Sequence, residues 1–91
     1  MDEFIFDWDE MDEISGNTRH ILDAGVDPRD VEEVILDQDA ERELTRTSAR
    51  HSEPRYIVWG VNASGETLGV VYERSNDNPR VIRPVTAWIK D

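Results

Sequence analysis

Residues 54–88, PRYIVWGVNASGETLGVVYERSNDNPRVIRPVTAW, read as three adjacent strands, and this reading decides the fold. Tyr56 to Val61 is apolar at successive positions, the pattern of a central strand covered on both faces. Asn62-Ala63-Ser64-Gly65 is a short turn with glycine where a left-handed residue is wanted, so Glu66 to Glu73 returns beside it as a hairpin partner. Ser75 to Pro79 turns the chain again, and Arg80 to Trp88 forms the last strand. Pro84 has no N–H to offer a ladder, so that strand either lies at an edge or bulges there.

Upstream, Phe4-Ile5-Phe6-Asp7-Trp8 is aromatic and β-prone and reads as an opening strand. Asp9 suits an N-cap, and Met11, Ile14, Thr18, Ile21 and Leu22 follow at helical spacing, which predicts a helix from about residue 9 to 23. Ser15-Gly16-Asn17 marks a kink or split within it, and Gly25 fits its C-cap. Asp27-Pro28 opens a second helix whose buried face is Val31, Val34 and Ile35, with Glu32 and Glu33 wet. Of the polar stretch 37–53, Leu44 to Thr47 reads as an edge strand and Ser48 to Glu53 as a mobile loop. The order β-α-α-(β)-β-β-β describes one α+β domain over residues 1–91, two N-terminal helices on a mostly antiparallel meander.

The charge divides along the same line. Residues 1–43 hold 16 Asp/Glu against 3 Lys/Arg, whereas residues 44–91 hold 5 against 7, within a formal net charge of −11. Such acidity argues against gripping nucleic acid through bulk charge, because that affinity comes from neutralising phosphates. Any anionic substrate must therefore meet the arginines of the second half. One lysine, Lys90, stands against nine arginines, a composition that fits either a saline cytoplasm or a plainly acidic surface. Cysteine is absent, which removes disulfides, thiolate metal sites and cysteine nucleophiles. The N-terminus has no basic region or long apolar run, and no segment reaches the roughly 18–20 apolar residues that span a bilayer, so a cytoplasmic protein is expected.

No cofactor or metal is implied by the motifs. His20 and His51 fall on different elements and read as a helix-surface and a loop residue. Asp7, Asp9 and Glu10 offer a divalent cation site or, more simply, a solvated helix start using the helix dipole. Asn62-Ala63-Ser64 matches a glycosylation sequon that serves here as a turn. The sheet arginines carry more. Strict alternation sets Val81, Arg83, Val85 and Ala87 on one face of the last strand and Ile82, Pro84, Thr86 and Trp88 on the other. Arg83, with Arg55, Arg74 and Arg80, would bind RNA phosphates and stabilise the charge that develops when a 2′-hydroxyl attacks its phosphodiester. His20 would act as general acid or base if its helix leans over that face. The plainer reading pairs these arginines with the carboxylates of the first half. Trp88 is expected in the core, with stacking on a base as the alternative.

These segments, taken in order, resemble the BrnT family of type II toxins, small endoribonucleases related in fold to the RelE toxins. The resemblance rests on Phe6-Asp7-Trp8-Asp9, Asn17, His20-Ile21, Gly25-Val26 and Val31-Glu32-Glu33-Val34. It continues through Arg55-Tyr56-Ile57 with Gly60 and Ile82-Arg83-Pro84-Val85-Thr86-Ala87-Trp88, nearly the whole length. Ala24 stands where the family often has His, and Trp88 where its last strand ends in Arg. The resemblance implies a BrnT/RelE-like fold and a metal-independent endoribonuclease. Of the family's site Arg83 and Thr86 carry over by position; with His20 they would be the catalytic residues, Arg55, Arg74 and Arg80 would bind the substrate, and the partner would be a cognate antitoxin. The alternative is a catalytically inactive relative acting as a protein-binding or regulatory module.

Overall fold

The expected hairpin forms as β3 (Arg55–Val61) and β4 (Thr67–Arg74), antiparallel in the register Val58↔Val70 and Trp59↔Gly69. Its turn closes on Asn62, whose side-chain carbonyl accepts from the amides of Ser64 (3.1 Å) and Glu66 (2.8 Å), while Gly65 takes φ 83°. The computed structural model describes residues 4–37, 39–44, 55–74 and 80–90. Within them the fold is α+β: two helices and a mixed five-stranded sheet in the order β1-β5-β4-β3-β2.

β5 (Arg80–Lys90) runs antiparallel to β4, and β1 (Phe4–Phe6) lies parallel to its far side from Arg80 to Ile82. β2 (Glu41–Leu44) pairs antiparallel with β3 at the opposite edge. It starts and ends three residues before the expected edge strand, and its four residues are all exposed. Thr45–Thr47, the loop 48–53 with His51, and the turn 75–79 lie outside the described residues. Four expected strands with an optional fifth thus become five, and the parallel β1–β5 pair makes the sheet mixed.

The alternatives for Pro84 resolve to a bulge. The β4–β5 register slips between Val71↔Thr86 and Tyr72↔Pro84, which leaves Val85 extra. This one residue overturns the expected face assignment. Before the bulge Ile82 and Pro84 point into the core; after it Ala87 does, so Thr86 and Trp88 join Arg83 on the other face.

The first helix is shorter than its periodicity suggests. α1 spans Asn17–Asp23, and residues 9–16 form turns in which Met11 and Ile14 are exposed. Gly16 takes the N-cap position, where a Cβ would stand 2.7 Å from that of Asp9, so the chain folds back there instead of continuing a helix. Asp9 and Asn17 close this loop reciprocally: the Asn17 amide donates to the Asp9 carboxylate (2.9 Å) and the Asp9 amide to Asn17 Oδ1 (2.8 Å). At the other end Gly25 sits at φ 81°. Its amide donates to Leu22 O and that of Val26 to Ile21 O, a Schellman closure that also buries Val26 with Ile21.

α2 (Pro28–Leu36) follows the sequence closely. Asp27 caps the Arg29 amide (2.9 Å), Pro28 opens the helix, and Val31, Val34 and Ile35 are buried. These three and Ile21 meet Val58, Val70, Tyr72, Ile82 and Ala87 from one face of the sheet, forming the core. Gly60 lets α2 come close, since a Cβ there would be 2.9 Å from Val34 Cγ1. Trp8 donates its indole N–H to Glu32 (2.8 Å), tying the exit of β1 to α2. Neither helix covers the outer side chains of β3 among the described residues, which corrects the expectation of a strand covered on both faces. Ile57 and Trp59 are half-buried there.

Candidate functional site

Antiparallel register arranges the face turned away from the core in three rows of side chains. Arg55, Glu73 and Arg83 form the first, Ile57, Val71 and Thr86 the second, and Trp59, Gly69 and Trp88 the third. Gly69 is required by its row: a Cβ there would lie 2.5 Å from Trp88 and 2.7 Å from Trp59. The two indoles meet edge to face across it, centroids 5.4 Å apart, and Lys90 Nζ stands 5.5 Å from the Trp59 ring. Trp88 is therefore on the face away from the core, contrary to expectation.

α1 lies along β5 with Ile21 directed into the core. His20, one residue earlier, reaches Thr86, with Nε2 3.0 Å from Oγ1. Beside this contact a cleft of about 490 Å³ is lined by Asn17, His20, Arg55, Glu73, Arg83 and the bulged Val85. Four of the six sequence-predicted residues, Arg83, Thr86, His20 and Arg55, thus gather at one place.

The other two do not join them. Arg74 alternates with Tyr72 and Val70 and so lies on the helix-bearing face, over the Tyr56 ring (5.0 Å) with Nη2 3.3 Å from its hydroxyl. This removes Arg74 from the substrate-binding set. Arg80 pairs with Phe4 through its backbone, and its side chain lies outside the described residues.

The cleft arginines carry carboxylate partners. Arg83 grips Asp9 with both terminal nitrogens (3.1 and 2.7 Å) and reaches Asp7 at 3.3 Å. Arg55 Nε donates to Glu73 at 2.8 Å. Asp7 and Asp9 are thus held by Arg83, and Asp9 also accepts from the first amide of α1; among the described residues no group of three or more His, Asp and Glu is placed to hold a metal ion. The hydrogen bonds from Arg83, then that from the Asn17 amide, hold the Asp9 carboxyl below its ordinary value. The bond to Asp9 in turn raises Arg83. A guanidinium gripped at two nitrogens keeps further N–H donors, so an anion entering the cleft would share Arg83 with Asp9 or displace it.

A pH dependence follows. A carboxyl with a depressed folded-state pKa stabilises the fold above its unfolded value, 3.8 for Asp9, and that contribution disappears as pH falls through the folded value. Asp9→Asn is expected to flatten the stability loss below about pH 4, measured by urea unfolding at a series of pH values. An unchanged acid limb would show that Asp9 is not the linked group.

Sequence reasoning missed Asp9 as the partner of Arg83, Glu73 as the partner of Arg55, and Asn17 as the clamp between segments. Asn17 Nδ2 donates to the carbonyls of Asp7 (3.0 Å) and Pro84 (2.7 Å), joining the end of β1 to β5 where their ladder stops. The only signal for it was an Asn beside a Gly at a helix start. No protein-family model and no curated protein matches this chain.

Proposed function

We propose that the chain is a BrnT-type toxin with a BrnT/RelE-like fold, a metal-independent endoribonuclease acting on RNA in the cytoplasm. The observation that carries this reading is the His20–Thr86 contact at 3.0 Å beside a cleft that also holds Arg83 and Arg55. It is supported by the meeting of Asp9, Asn17, His20, Arg83 and Thr86, residues on which the resemblance rests, from segments far apart in the chain.

In this reading His20 takes the proton of a 2′-hydroxyl as that oxygen forms its bond to phosphorus. Thr86 holds the imidazole in place. The bond from phosphorus to the 5′-oxygen breaks, leaving a 2′,3′-cyclic phosphate, and the departing oxygen takes a proton from water. Arg83 and Arg55 stabilise the charge gathering on the phosphoryl oxygens, the role a cation would otherwise fill. An antitoxin would act by covering this face.

A second reading, a catalytically silent module acting through protein contacts, is favoured by the carboxylates already on both cleft arginines and by the Trp59–Trp88 pair. Induced expression in a host without an antitoxin separates the two, together with incubation of the purified protein with total RNA in the presence of a chelator. Growth arrest with cut RNA supports the ribonuclease. Normal growth and intact RNA alongside folded protein would leave the binding module.

A further inference from the structure

On the helix-bearing side of the sheet, a second cavity of about 240 Å³ opens beside the C-terminal end of α2. Its walls include Phe4, Ile35, Leu36 and Ile82, and two arginines, Arg42 and Arg74, line it as well. Both guanidiniums lean on one stacked pair of tyrosines, Tyr56 and Tyr72, whose centroids are 5.4 Å apart. Arg42 donates to the Tyr72 hydroxyl (3.0 Å) and to the carbonyls of Ile35 (3.3 Å) and Asp37 (2.5 Å). Arg74 donates to the Tyr56 hydroxyl at 3.3 Å.

Every one of these acceptors is a neutral oxygen. In a chain with 21 Asp and Glu, two arginines at one cavity meet no carboxylate among the described residues, whereas Arg19, Arg55 and Arg83 each do. The Arg74 Nε–H is moreover buried and has no acceptor among the described residues. A buried donor left unmade is unfavourable and rare, and none of the described residues brings the oxygen it lacks. The walls restrict what can carry that oxygen. Phe4 and Leu36 are 42% and 50% exposed and present apolar surface at the mouth, which suits an apolar body more than a hydrated inorganic ion. The volume lies below the roughly 300–1,000 Å³ of drug-sized ligand pockets, so the occupant is small.

We propose that this cavity binds a small organic monoanion, its carboxylate on Arg42 and Arg74 and its aromatic or short alkyl body against Phe4, Leu36 and Ile82. The site is on the opposite face from the His20–Thr86 cleft and stands whether or not that cleft cuts RNA.

The test uses the isotopically labelled protein and three probes: phenylacetate, acetate as the charge without the body, and 2-phenylethanol as the body without the charge. Phenylacetate is expected to shift the Arg74 Nε–H resonance saturably, with Kd of about 1 mM or tighter. The other two should bind at least about tenfold more weakly, a step of about 1.4 kcal/mol in binding free energy. Arg74→Gln and Arg42→Gln should each weaken phenylacetate by a similar factor. Arg42 also closes the end of α2, so its variant is open to misfolding; the three-probe comparison on the wild type decides by itself. Equal binding of 2-phenylethanol, or no saturable shift at Arg74, overturns the proposal.

Discussion

Asn17→Ala is expected to lower the unfolding free energy by about 2–4 kcal/mol, far more than a polar-to-alanine change at a helix start usually costs. The side chain is 5% exposed and is the one buried polar residue among those described. It accepts from the Asp9 amide and donates to the carbonyls of Asp7 and Pro84. Alanine removes all three bonds and leaves the Asp9 amide and the Asp7 and Pro84 carbonyls without their side-chain partner, the last of them buried. The loss also loosens the loop that presents Asp9 to Arg83, so damage should reach the cleft. Urea unfolding measures the effect, and a fall in Tm of about 10 °C or more should accompany it. Asn17→Asp should not rescue, because it keeps the acceptor but turns both donated bonds into contacts between oxygens. A loss under about 0.5 kcal/mol, the range of ordinary surface changes, would remove Asn17 from its place as the clamp.

His20→Ala is expected to reduce RNA cleavage by about 10²–10⁴-fold, the usual contribution of a positioned general acid or base. The residue is exposed, so stability should stay within about 0.5 kcal/mol of wild type. That separation makes it a cleaner probe than Arg83→Ala. Removing Arg83 strips the partner from Asp7 and Asp9 and disturbs the fold of the N-terminal segment along with any chemistry. Thr86→Val should cost less than His20→Ala, since it loses the orienting contact but keeps the imidazole. The readout is the rate of cutting of a defined RNA, with thermal unfolding run beside it. Cutting at the wild-type rate by a folded His20→Ala protein would exclude His20 as the proton acceptor and with it the chemistry proposed for this cleft.

What could be read from the chain was local in its physics. An Asp-Pro start and apolar residues at helical spacing specify α2, because cap, ring constraint and buried face all lie within one short segment. Asn62 and Gly65 specify the β3–β4 turn for the same reason. Periodicity misled at residues 9–16: Met11 and Ile14 keep helical spacing with Ile21 but have nothing to pack against. It misled again at Val85, where a single bulged residue reverses the faces of all that follows.

The candidate site was half legible. That His20, Thr86, Arg83 and Arg55 are the residues with suitable chemistry follows from their types and positions. That Thr86 faces the same side as Arg83, and Arg74 the opposite one, does not. The sequence by itself determined the α+β class, the second helix and the central hairpin, because neighbouring residues impose their conformations on each other directly. Tertiary structure alone decided the β1-β5-β4-β3-β2 order, the start of α1, the bulge and the partners of the arginines. Those depend on contacts such as Arg83 with Asp9, 74 positions apart, whose formation depends on the whole chain having already folded.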